Sequence, residues 1–163
     1  MLQIRKVIEN DCRMLWEWRN DPKVREMSFS TGFVSWEEHQ KWFAAKLNRS
    51  DNYFFVAVDE NSKPIGQVRF EITHSRKVEI HISITSSMRG MGRGRELIKA
   101  GIDNIFSSTT VEEVSGYIKP NNAASLKFFE RAKFIKQGLV EKSNQQALHM
   151  IRKRSSWQFV EPI

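Results

Sequence analysis

The chain has 163 residues, with 26 Lys and Arg against 19 Asp and Glu, a formal net charge of +7 and a sequence pI near 9.7. That length suits a single domain over residues 1–163, and 40% hydrophobic with 28% charged residues is a globular composition that excludes wholesale disorder. The single Cys12 excludes an internal disulfide and a multi-cysteine metal site, no stretch approaches the ~18 apolar residues of a membrane span, and the start Met1-Leu-Gln-Ile-Arg-Lys6 lacks the pattern of a signal peptide, so a cytoplasmic protein with no membrane partner is the expectation.

Leu2–Ile8 reads as an opening strand. Asn10 or Asp11 offers a side-chain acceptor to the free N–H groups of a helix over Cys12–Asn20. Asp21-Pro22 restarts a short helix, with proline at its favoured first position. Ser35-Trp-Glu-Glu38 is a capping box, and the helix it opens runs to about Leu47 with Trp36, Gln40, Phe43 and Leu47 on one side. Tyr53–Val58 and Ile65–Thr73 are β-prone strands around the turn Asn61-Ser-Lys-Pro64. After His74-Ser-Arg76, Val78–Ile84 alternates, with Val78, Ile80, Ile82 and Ile84 on one face and Glu79, His81 and Ser83 on the other. The glycine-rich loop Arg89–Gly94 precedes a helix over Glu96–Phe106. Val111–Ile118 is a strand, Pro120-Asn-Asn122 introduces a helix to about Ala132, and Phe134–Lys142 and Ala147–Arg154 are strands around Ser143-Asn-Gln145. The pattern predicts an α/β domain with one central sheet.

Residues 85–154 hold 13 basic and 6 acidic residues, so the whole charge excess lies there. No block of five basic residues occurs, and no helix-turn-helix, aromatic RNA-binding strand or zinc spacing appears, which argues against a nucleic-acid partner. A discrete anionic ligand fits better. The four histidines (His39, His74, His81 and His149) are scattered, so no metal site is expected.

Arg89-Gly-Met-Gly-Arg-Gly94 follows a strand and opens a helix. Its glycines let the backbone approach a ligand, and the free N–H groups of the helix start favour phosphate. It is neither a Walker A loop nor a dinucleotide fingerprint. Read alone, it fits a flexible connection with solvated arginines better than a ligand loop.

Arg89-x-x-Gly92-x-Gly94 after a strand resembles the acetyl-CoA loop of the GNAT N-acetyltransferase superfamily. Asn122-Ala-Ala-Ser125-Leu-Lys-Phe-Phe129-Glu-Arg-Ala-Lys-Phe134 resembles its second motif, in which an asparagine starts a helix near the pantetheine arm and a tyrosine usually follows seven residues on. The resemblance implies a mostly antiparallel twisted sheet of about seven strands with about four helices. It also implies acetyl-CoA as cosubstrate, held by Gly90, Met91, Gly92, Arg93, Gly94 and Arg89, by the backbone of Ile82, Ser83 and Ile84, and by Asn122, Ser125 and Phe129. Arg19-Asn-Asp-Pro-x-Val24 and Val34-Ser-x-Glu-Glu-His39 look like a subgroup that acetylates UDP-linked 4-amino sugars of the pseudaminic-acid pathway. Protein N-terminal α-amine acetyltransferases share a similar helical opening and give the alternative acceptor.

Acetyl transfer from a thioester needs a donor for the developing oxyanion and a base for the amine. A backbone N–H near Ile82–Ile84 is the candidate donor. Glu79, His81 or water is the candidate base. Phe129 stands where the family places its tyrosine and has no proton to give, which keeps open an acetyl-CoA-binding module without turnover. Ser125 and Tyr117 carry hydroxyls that the sequence cannot place at the sulfur. Cys12 reads as a small buried hydrophobe. Arg19 suits a diphosphate, with His39 and Met27 as further acceptor contacts, and Phe29 and Trp36 as an apolar wall. The tail from Ser155, with Trp157 and Phe159, packs on its own domain or on a partner subunit. A monomer or a homodimer is expected.

Overall fold

A continuous apolar run at Tyr53–Val58 and alternating apolar and polar residues along the two strands that follow build three consecutive antiparallel strands, and the rest of the sheet assembles on them. In the computed structural model, residues 1–157 are described. Among them the chain runs β1 (Gln3–Lys6), α1 (Cys12–Arg19), α2 (Pro22–Met27), α3 (Trp36–Leu47), β2 (Tyr53–Val58), β3 (Pro64–His74), β4 (Lys77–Ile84), α4 (Arg93–Ser108), β5 (Glu113–Ile118), α5 (Ala123–Arg131), β6 (Ile135–Lys142) and β7 (Gln145–Lys153). One sheet of seven strands has the order β1-β2-β3-β4-β5-β7-β6. Every neighbouring pair is antiparallel except β4 with β5. The mixed α/β class and the strand count match the expectation, with five α-helices instead of about four.

Each face of the sheet has its own core. On one face Val68, Phe70, Val78 and Ile80 pack with Leu97, Ile98, Ile102 and Ile105 of α4. On the other, Phe54 and Val56 pack with Leu15 of α1 and Phe43 of α3, with Trp18, Trp42 and Cys12 partly buried around them. Burying a large apolar side chain contributes about 1.5–3 kcal/mol, so these two clusters fix where the helices sit. The C-terminal end is stapled by Arg154, whose guanidinium donates to the carbonyls of Phe106, Thr109 and Val111. Trp157 packs against Phe106 and donates to Asp103 at 2.9 Å, so that part of the tail lies on its own domain. Phe159 falls outside the described residues.

Local details depart from the sequence expectation for physical reasons. The opening strand is shorter, because Ile8 turns outward and the Asp11 carboxylate folds back onto its N–H at 2.8 Å and onto Arg5. Asp11 therefore does not cap α1 with its side chain. At α3, Ser35 Oγ accepts from the Glu38 N–H at 3.2 Å, but the described hydrogen bonds include no return from the Glu38 carboxylate, which instead lines a cleft. The inward face of α3 carries His39 and Phe43, while Gln40 is exposed. Helix α4 begins at Arg93, inside the glycine loop, three residues before its expected start.

Candidate active site

Strands β4 and β5 pair only through Lys77–Glu79 and Glu113–Ser115, and then part. The consequence for the backbone follows from alternation. The Thr85 N–H donates to Ile65 of β3, so in this register Ser83 and His81 also turn their backbone groups toward β3. Ile82 and Ile84 therefore present N–H and C=O to the opening. Of the three expected cofactor positions on β4, Ser83 thus has its backbone committed to Gln67, and its hydroxyl accepts from the Gln67 side chain at 3.1 Å. The opening widens into a cleft of about 1290 Å³ that reaches from the glycine loop to the helices α1–α3.

The glycine loop and α4 close one end. Gly90 and Gly92 have φ of +78° and +75°, and a Cβ at either would meet nothing within 4 Å. Glycine is needed there for the left-handed backbone, not for space. Gly94 is different: a Cβ on it would come 2.9 Å from Phe128 of α5. Gly90, Gly92 and Gly94 line the cleft, as do Arg89 and Arg95. Arg93 does not join them. Its guanidinium reaches away to Glu60 at 3.1 Å and Glu96 at 3.2 Å, so it is drawn off the cleft where it was expected to meet phosphate charge. The Met91 side chain is exposed outside the cleft. Asn122 caps α5 by accepting from the Ser125 N–H at 3.1 Å, and Asn122, Ser125 and Phe129 line the cleft from this helix. Phe129 is buried against Phe134 and against Gly116 of β5.

Helix α2 crosses the mouth of the opening. Asp21, which caps it, takes Arg89 at 3.2 Å. At its other end Lys119 donates to the Glu26 carbonyl at 3.0 Å. Beyond it, Gln145 at the β6–β7 turn donates to the Phe29 carbonyl at 2.6 Å. These contacts come from both sides of the parted strands and seat the N-terminal segment over the cleft.

Below that segment lies a polar array on the face opposite α4. Glu71 takes Lys46 at 2.8 Å and Arg69 at 3.0 Å, and Arg69 lies over the Trp42 ring at 4.9 Å. Burial works to raise the Glu71 carboxyl, but the Lys46 hydrogen bond and the Arg69 charge outweigh it and hold it well below the carboxylate range. Glu79 takes Lys142 at 2.7 Å. His81 Nε2 lies 3.5 Å from Glu79 and 3.8 Å from Glu71, beyond hydrogen-bond geometry, and is buried without a partner. Burial, and then the Arg69 charge, push the His81 imidazole far below its ordinary value, so it is neutral at physiological pH. That changes the two base candidates. His81 lines the cleft but is a weak proton acceptor. Glu79 is held behind it and behind Lys142, off the cleft wall.

The acceptor candidates divide. Arg19 lines the cleft, donates through Nη2 to the Ser30 carbonyl at 2.9 Å, and leaves Nη1 buried and unpartnered. Met27 and Phe29 also line it, whereas Trp36 does not. His39 is 3% exposed, donates from Nε2 to the Cys12 carbonyl at 2.8 Å, and stacks with Trp36 and Phe43. It lines the cleft as well, but its Nε2 is committed to holding α3 on α1. The sequence reading passed over Gln67, Arg69 and Glu71, although their alternation on β3 beside Glu79, His81 and Ser83 carried the signal. Lys142 gave no such signal, because β7 and β5 lie between its strand and β4.

The sequence matches the family described as the acetyltransferase (GNAT) domain over residues 1–135. A protein of Methanocaldococcus jannaschii without an assigned activity is 27% identical over 82% of this chain, which spans only 28% of that relative's length. The spermidine N-acetyltransferase of Vibrio cholerae, solved with CoA and spermine, superposes with a TM-score of 0.84 at 21% identity, covering 94% of this chain and 96% of that one. The aminoglycoside acetyltransferase AAC(6')-Ib, solved with coenzyme A, superposes at 0.81 and 22% identity, covering 95% and 96%. At such identities the structural likenesses establish the fold, while the family match establishes membership. With its parted β4–β5 pair and its glycine loop at the start of α4, the chain belongs to the GNAT acetyltransferase domain family.

Proposed function

We propose that the protein moves the acetyl group of acetyl-CoA to the primary amine of a small anionic acceptor, a nucleotide-linked amino sugar being the acceptor that the N-terminal motifs favour. The observation that carries the cofactor half is the freed backbone of Ile82 and Ile84 beside the left-handed Gly90 and Gly92. The N–H groups at the start of α4, with Arg89 and Arg95, suit a pyrophosphate. The Ile82 and Ile84 edge suits the amide groups of a pantetheine arm. Acetyl-CoA supplies the thioester carbonyl, and a backbone N–H of that edge is placed to stabilise charge developing on its oxygen.

The acceptor half rests on charge. Among the described residues, Glu38 is the one carboxylate lining the cleft, against nine lysines and arginines. A polycation such as spermidine would be repelled there, whereas an oxyanion meets the unpartnered Arg19 Nη1. The same positive field favours the neutral form of an incoming amine. With His81 held neutral by burial and Glu79 paired to Lys142, water is the acceptor of the amine's proton that the array leaves.

The test is CoA-thiol release with acetyl-CoA and four amines: a UDP-linked amino sugar, a peptide with a free N-terminus, kanamycin and spermidine. The expected result is the highest kcat/KM with the UDP-linked sugar. A preference for spermidine or kanamycin overturns the anionic-acceptor reading.

A further inference from the structure

We propose that Tyr117 protonates the CoA thiolate as it departs, an inference that rests on the acetyl-transfer reading above. Attack by the amine forms the C–N bond, and collapse breaks the C–S bond. The sulfur then leaves as an anion that needs a proton. Phe129, buried in the cleft wall, has none. The chain contains two tyrosines. Tyr53 packs against the core on β2, away from the cleft, and Tyr117 lines it.

The position of Tyr117 is specific. The last β4–β5 partners are Glu79 and Ser115, so Tyr117 sits two residues into the parted section, on the strand that faces Ile82 and Ile84 across the opening. Phe129 presses on Gly116, where a Cβ would come 2.7 Å from its ring. Side chains alternate across a strand, so Tyr117 emerges on the other face, beside the polar array. Phe129 and Tyr117 thus flank β5 from opposite sides at the point where the strands diverge.

The ring is held in place and its hydroxyl is left available. His149 stacks on it at 4.7 Å with planes 7° apart and is itself fixed by Ser115 Oγ at 2.9 Å. Lys142 Nζ lies 4.2 Å from the ring centroid, a positive charge beside the ring on which negative charge forms when the proton leaves. The Tyr117 hydroxyl makes no hydrogen bond within the described residues, which leaves it free for a ligand atom. The protons balance: the phenol gives one to sulfur, and the phenolate regains through water the one shed by the acylated nitrogen.

Tyr117→Phe keeps the ring, its stacking and its contact with Lys142, and removes only the hydroxyl. Steady-state thiol release should show kcat lowered about 100-fold, with the acetyl-CoA KM within about twofold of wild type. A Tyr117→Phe kcat within about twofold of wild type, or a loss expressed only in KM, overturns the assignment while leaving acetyl transfer intact. A wild-type protein that binds acetyl-CoA by thermal shift yet releases no thiol with any amine overturns acetyl transfer, and this role with it.

Discussion

Lys142 Nζ lies 2.7 Å from Glu79 Oε1, joining the end of β6 to β4 across two intervening strands. The pair brings the last hairpin over the site, and Gln145 then pins that hairpin to Phe29. The Glu79 side chain is 13% exposed and that of Lys142 28%, so neither charge has ample water to replace its partner. Lys142→Met should therefore destabilise the protein by about 1–3 kcal/mol. Adding Glu79→Gln should cost less than the sum of the single changes. Chemical denaturation of the four proteins measures this, and strict additivity would count against the pair.

Gly92→Ala isolates the backbone contribution of the loop. At φ +75° an alanine has room for its Cβ but takes on about 1–2 kcal/mol of left-handed strain. Relief of that strain reorients the first N–H groups of α4. Acetyl-CoA affinity, read by thermal shift, should weaken at least about tenfold, more than the small drop in Tm would suggest. An unchanged affinity would remove the loop from cofactor binding.

Arg19→Gln should act on the acceptor alone. It removes the charge that bears the unpartnered Nη1, so KM for a phosphate-bearing amine should rise about tenfold or more, with acetyl-CoA affinity unchanged. Initial rates at varied acceptor measure this. An equal loss for phosphorylated and uncharged amines would argue for packing alone.

Three histidines give stability a pH dependence of definite sign. Burial lowers His39, offset in part by its bond to Cys12. Burial and Arg69 lower His81, and burial lowers His149. Each folded value lies below the ordinary ~6.5, so below that pH the unfolded chain binds more protons. Their stabilising contribution is complete above ~6.5 and is lost as pH falls from there through the depressed folded values. Tm should drop between pH 7.5 and 5, and His39→Gln, which keeps a donor for Cys12, should shrink the drop. A flat or rising Tm over that window contradicts the assignment.

Local chemistry was the legible part of this protein. Alternation in Val78–Ile84 foretold both faces of β4, and the glycines of Arg89–Gly94 marked the loop that lines the cleft, although the left-handed backbone of Gly90 and Gly92 appears only in the structure. Direction and partner were not legible. Arg93 sits in the right loop but is drawn off by Glu60 in the β2–β3 turn. His39 sits in the right helix but is drawn inward by the Cys12 carbonyl. Sequence spacing says which residues share an element, and only packing says which way a long side chain turns. The basic excess was legible as a sum, yet its sharpest expression, a cleft with Glu38 as its one lining carboxylate among the described residues, needs β3, α1 and β6 brought together.

The central claim is that the parting of β4 from β5 holds acetyl-CoA by backbone pairing. Amide hydrogen exchange with and without acetyl-CoA tests it most directly. Slowed exchange is expected at Ile82 and Ile84 and at the first residues of α4, with Ser83, already paired to β3, unchanged. Exchange at Ile82 and Ile84 that is indifferent to saturating acetyl-CoA would contradict it.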